Sequence, residues 1–230
     1  MLWSREQYID LMTFNHPERP MFTELFGPLV GLEDEWRSQG ATEEEICLDA
    51  FDFDTVATVS CGGNTGVFGG PEPCLLTRTG EYEIHRDQYG RTTKLYTKSA
   101  TIPLPLDHPV KDMDSWRKVR HWFMFDGRRI DWDGVEVAKA ARKRGSLVVA
   151  GMHGGFDLPR QLMGEAAACL CYYDDPELMH DILDMAGEMA FRVLDRISDE
   201  LTIDCLCVGE DLAGKSGPLV GPKLVQEFIL

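Results

Sequence analysis

Two stretches of this 230-residue chain end an apolar run on side chains that can move protons. In SLVVAGM (146–152) the run stops at His153, followed by Gly154 and Gly155. In the run 203–208 it stops at Gly209, and Glu210 and Asp211 follow at once. An imidazole changes charge near neutral pH, and a carboxylate beside a substrate can position it or accept a proton. His153, Glu210 and Asp211 are therefore the candidate catalytic residues. Arg160 and Gln161 come shortly after His153, and Lys215 lies in the glycine-rich loop after Asp211; these are candidate substrate-binding groups. Glu24, near the end of the apolar run 20–26, and Asp54, at the start of the run 53–60, join them. The competing role for the acids is a solvated turn or a helix cap. For His153 it is a bond to neighbouring backbone.

For such groups to act together, the runs that carry them must be parallel strands whose carboxyl ends share one rim, where α/β folds place their ligands. The strand candidates are 20–26, 53–60, 146–152 and 203–208. Helices are expected between them. Ser4 with Gln7 forms a capping-box pattern ahead of Tyr8, Leu11 and Met12, and NHPERP (15–20) breaks the chain after that helix. Residues 33–39 are helical, and 42–45 read as a solvated first helical turn. Asp112 or Asp114 caps a helix bearing Trp116, Val119 and Trp122, and Asp133 begins one that Gly145 closes. The segment LPRQLMGEAAACLCYY (158–173) reads as helical. Asp175-Pro176-Glu177 starts the longest helix, whose apolar face runs Leu178, Ile182, Ala186, Met189, Val193, Ile197. EYEIHRDQYGRTTKLYTK reads as a β-hairpin turning at 87–90, near 80–98, that covers one end of the main fold.

Composition narrows the function classes. Lys plus Arg number 23 against 39 Asp plus Glu, a formal charge of −16. Such a surface repels phosphate backbones and anionic bilayers, so no nucleic-acid or membrane partner is expected. The opening MLWSREQYID lacks the apolar core of a signal peptide, and no apolar stretch approaches the ~20 residues that span a bilayer. Seven cysteines, an odd number in apolar surroundings, suit reduced thiols in the cytoplasm. Cys169 and Cys171 fall two apart on a helix, Cys205 and Cys207 two apart on a strand; core packing is the reading for all four. The glycine-rich CGGNTGVFGG (61–70) lacks the ending of a phosphate loop.

Three segments together resemble the uroporphyrinogen decarboxylase superfamily: SREQYIDLMTFNHPERP, GGFDLPRQLMGEAAACLCYYDDPELMHDIL and GEDLAGKSGPLVGPKLVQEFIL. DQYG and TIPLPLDHPVKDMDSW are similar to its decarboxylase-like members. The resemblance implies a (β/α)8 TIM barrel forming one domain over 1–230, truncated at its C-terminus, with the remaining strands beyond residue 230. It implies an enzyme of tetrapyrrole- or corrinoid-linked metabolism acting on a small molecule. Methyl transfer from methylcobalamin to a thiol is the leading activity. Its corrinoid would be carried by a partner protein, and its zinc ligands would lie beyond 230, with no metal ligand within 1–230. Porphyrinogen decarboxylation is the alternative. It would use paired arginines after the first strand, where this chain has none between Arg19 and Arg37, and a tyrosine where Gln161 stands. A third reading is a non-catalytic barrel that binds a ligand or a partner. An incomplete barrel would leave strand edges and apolar surface open, so association, as in a homodimer, is expected.

Overall fold

The computed structural model describes residues 1–15 and 19–230. The break expected at NHPERP falls partly on 16–18, outside the described residues. After a two-residue strand β1 (Leu2–Trp3), Ser4 caps α1 (Arg5–Met12), with Gln7 completing the capping box. The expected stripe of Tyr8, Leu11 and Met12 is not buried, because α1 lies on the surface and buries no residue. Helix α2 (Leu32–Ser38) follows, and Thr42 with Glu45 forms a second capping box at α3 (Glu43–Ile46). Asp112 caps α4 (Met113–Val119), which buries Trp116 and Val119, while Trp122 falls in the 3-10 turn that follows, Arg120–Phe123. Asp131 rather than Asp133 caps α5 (Trp132–Lys143), since its carboxylate reaches the Gly134 N–H. The segment expected to be one helix divides at Gly164 into α6 (Asp157–Met163) and α7 (Glu165–Asp174). Gly164 adopts φ +86°, a left-handed conformation that cannot continue a right-handed helix. Asp175 and Pro176 open α8 (Pro176–Ser198) as their types require.

The strands form small sheets. β2 (Thr55–Val56) pairs with β1, and β3 (Thr58–Ser60) starts a three-stranded parallel sheet with β8 (Leu147–His153) and β9 (Cys205–Gly209), in the order β3-β8-β9. The register sets Val59 beside Val148, Ala150 beside Leu206 and His153 beside Gly209. Alternation then gives the sheet two different faces. Val148 and Ala150 pack against Val135 and Ala138 of α5 and Met189, Val193 and Ile197 of α8. A second core gathers Trp116, Phe123, Phe156, Leu162, Met179 and Ile182. The expected hairpin is present as β5 (Tyr82–Arg86) and β6 (Thr92–Tyr96). It belongs to an antiparallel four-stranded sheet with β4 (Cys74–Arg78) and β7 (Leu104–Pro105). Near the end, β10 (Ala213–Gly214) and β11 (Gly217–Pro218) make a small hairpin, followed by α9 (Pro222–Leu224) and a π-helical turn, Val225–Ile229.

The (β/α)8 TIM barrel is not what the chain forms: the described residues make a mixed α/β arrangement of two- to four-stranded sheets with no closed barrel. Three observations account for the difference. Residues 20–26 make no strand, and Leu25 and Phe26 are more than four-fifths exposed. Phe22 alone links the run to neighbouring backbone, its carbonyl accepting the Asp54 N–H and its own N–H going to the Asp54 side chain, and one such link makes no ladder. The run 53–60 divides at Ala57, so its first part pairs with β1 and only its second with β8. Residues 74–105 are committed to the antiparallel sheet and contribute nothing to the parallel one.

Candidate functional site

The carboxyl ends of β8 and β9 lie side by side, and the segments leaving the two strands meet there. His153 ends β8, and the chain turns through Gly154 and Gly155 into α6. Asp157, in the first turn of α6, accepts from His153 Nδ1 at 2.8 Å. That bond fixes the ring, leaving Nε2 to face the Tyr89 hydroxyl at 3.1 Å. In the neutral imidazole, Nδ1–H donates to Asp157 and Nε2 accepts from Tyr89. Tyr89 comes from the turn of the β5–β6 hairpin and is 5 % exposed, so the hairpin does cover this end of the fold.

Asp157 holds two further groups in place. Its Oδ1 accepts from Arg160 at 2.9 Å and from Gln161 at 3.0 Å. Burial pushes its carboxyl up, but the bonds from His153, Arg160 and Gln161 outweigh that and leave it well below the usual carboxylate range. Arg160 also pairs with Asp211 at 2.6 Å, and Gln161 accepts from Arg91 at 2.5 Å. Arg91 in turn binds Asp87 at 2.7 Å and lies over the Tyr89 ring, 4.9 Å from its centre. Burial, followed by the charge of Asp157, pushes the Tyr89 hydroxyl up to about 12, so it is a proton-bearing donor at neutral pH.

Glu210 closes the other side. It accepts the Phe156 N–H at 2.8 Å and the Asp157 N–H at 3.0 Å, at the opening turn of α6, where free N–H groups attract a carboxylate. Its approach needs Gly154: a Cβ there would sit 2.2 Å from the Glu210 carboxyl carbon. The loop 61–70 supplies a third wall. Buried Arg129 bonds the carbonyls of Gly66 at 2.8 Å, Met124 at 2.9 Å and Trp122, which holds Thr65 and Gly66 beside His153.

These walls enclose a cavity of about 290 Å³. Thr65, His153 and Glu210 give it polar lining, and Leu158, Val208 and Phe228 are among its apolar lining residues. No lysine or arginine lines it among the described residues. The volume lies at the low end for small-molecule sites, and the lining suits a compact ligand with an apolar body and one hydrogen-bonding group.

Five of the eight expected site residues thus meet: His153, Glu210, Asp211, Arg160 and Gln161. Their roles differ from expectation. Arg160 is neutralised by two carboxylates, Gln161 braces Asp157, and Glu210 is occupied by backbone N–H groups. The other three are elsewhere. Asp54 is buried at the N-terminal strand, paired with Arg19 at 2.6 Å and bonded to the Phe22 N–H at 2.9 Å. Those two bonds hold its carboxyl well below its usual range, and its role is to anchor the segment before β2. Glu24 is an exposed residue that accepts the Phe26 and Gly27 N–H groups of its own turn. Lys215 is exposed in the turn between β10 and β11.

Tyr89 and Asp157 escaped the sequence reading. Asp157 had a local signal, since it stands four residues after His153 at a helix start. Tyr89 had none, because it reaches His153 across 64 residues. The cysteine reading also changes: Cys205 is half-buried and Cys207 exposed, both on the sheet face turned away from α5 and α8. Helix α1 covers that face through Tyr8 and leaves Cys207 exposed. A zinc ion does not fit at His153, whose two ring nitrogens are both engaged, and no group of three metal-ligating side chains occurs among the described residues. No helix among the described residues is long and apolar enough to cross a membrane. Compared with family models, with curated proteins and with solved structures, the chain finds no match in any of the three.

Proposed function

We propose that this chain is an enzyme that moves a proton at His153 Nε2 while a small, largely apolar substrate occupies the adjoining cavity. Its reaction is methyl transfer to a thiol, as in the corrinoid-dependent branch of the uroporphyrinogen decarboxylase superfamily that its segments resemble. The observation that carries this reading is the chain of bonds Tyr89–His153–Asp157–Arg160 at the wall of a cavity lined by no lysine or arginine. A corrinoid carried by a partner protein would supply the electrophilic methyl group. The chain's own residues would do the rest. A thiol entering the cavity displaces the Tyr89 hydroxyl from Nε2 and gives its proton to His153. Asp157 stabilises the resulting imidazolium, and the apolar wall keeps water from the sulfur.

Porphyrinogen decarboxylation is the weaker reading. A polycarboxylate needs free cations, and Arg160 is spent on Asp157 and Asp211. The seven cysteines, all free, favour a cytoplasmic setting. The test is to mix the purified full chain with methylcobalamin and simple thiols and follow loss of the methyl–cobalt absorbance. The expected result is thiol-dependent turnover that His153→Gln lowers by about a hundredfold or more. Turnover unchanged in His153→Gln, or none in the parent chain, would overturn it. Loss of carboxylates from a porphyrinogen would favour decarboxylation instead.

A further inference from the structure

The face of the β3-β8-β9 sheet turned away from α5 and α8 carries a pair of thiols that the proposed reaction does not use. Cys205 and Cys207 stand two apart on β9, so both project to this face. Successive same-face Cα atoms on a strand lie about 6.6 Å apart, yet the two Sγ atoms are only 3.9 Å apart. The side chains therefore lean toward one another. Two features leave them room. Cys207 pairs with Gly151, which has no side chain to cover it. Both sulfurs line a hollow of about 430 Å³ walled by Tyr8 of α1, Thr58, Ser60 and Val149.

We propose that Cys205 and Cys207 form a bidentate thiolate site for a soft, thiophilic cation of the Zn²⁺, Cd²⁺ or Cu⁺ class. The geometry is that of a chelate. With metal–sulfur bonds of about 2.3 Å, sulfurs 3.9 Å apart subtend about 116° at the metal, between the tetrahedral and trigonal values. Thiolates select such ions over Mg²⁺ or Ca²⁺. Two protein sulfurs leave the remaining positions open toward the hollow, for water or an exogenous ligand. On binding, each thiol yields its proton to solvent, and two metal–sulfur bonds form with no change of oxidation state.

The probe is Cd²⁺ alone, added to the reduced full chain and followed by the ultraviolet thiolate-to-cadmium charge-transfer band. One equivalent is expected to bind tightly. Cys205→Ser and Cys207→Ser should each weaken binding by about a hundredfold, because removing either sulfur ends the chelate. Cys47→Ser, at an exposed thiol elsewhere, should leave it unchanged. Retention of the parent affinity in either Cys205→Ser or Cys207→Ser would overturn the proposal, as would loss in Cys47→Ser. Should the variants unfold, the parent chain is alkylated with and without one equivalent of Cd²⁺ and its peptides are weighed. Joint protection of Cys205 and Cys207 is expected, and protection confined to other cysteines would overturn it. None of these readouts requires turnover at His153, so this site and the proposed reaction can fail separately.

Discussion

Asp204, just before β9, ties the N-terminal helix to the parallel sheet, and its removal is the most quantitative perturbation the structure offers. Its carboxylate is 2 % exposed and accepts from Arg5 at 2.5 Å, Arg142 at 3.2 Å and the Val148 N–H at 3.0 Å. Burial alone would raise it, but these bonds outweigh burial and bring it down to about 2 from an ordinary 3.8. The difference is worth about 2 kcal/mol of folding stability at neutral pH. The native carboxylate is the weaker proton binder, so that stability is present above pH 4 and drains away as pH falls toward 2. Asp204→Asn should therefore cost about 2 kcal/mol at pH 7 and almost nothing near pH 2. The two arginines limit the cost, since their side chains are 19 % and 31 % exposed and can rehydrate. Urea unfolding of both chains across pH 2–7 measures it. A deficit that stays constant with pH, or a negligible one at pH 7, would refute the reasoning. The same contact offers a second readout. Helix α1 buries no side chain of its own, so loosening Arg5 should lift Tyr8 and speed alkylation of Cys205.

Two further outcomes are expected. Gly154→Ala should destabilise the chain by roughly 1–3 kcal/mol in chemical denaturation, because its Cβ would overlap a Glu210 carboxyl already fixed by two N–H groups; unchanged stability would mean that Glu210 is not so fixed. Alkaline absorbance titration of the parent chain should show a tyrosine ionising near 12, late relative to the ordinary 10, that Tyr89→Phe removes. A raised native value means the folded form holds its proton longer. Tyr89 therefore stabilises the fold below pH 10, and that contribution is lost as pH rises toward 12.

What the sequence alone determined is local. Ser4, Thr42, Asp112 and Asp175 cap helices because each side chain reaches N–H groups two or three residues ahead, within the same few residues of chain. The apolar spacing of α8 and the turn at 87–90 are legible for the same reason. His153 and Glu210 could be singled out because an apolar strand that ends in a titratable group marks itself. Tertiary structure decided the rest. A strand exists only where another backbone accepts its hydrogen bonds, so 20–26 stayed exposed despite its composition, while 53–60 was shared between two partners. Whether Arg160 was free to bind substrate depended on Asp211, 51 positions away in the chain. The meeting of Tyr89 with His153 rests on how an antiparallel sheet sits against a parallel one, a long-range packing choice that no short window of residues encodes.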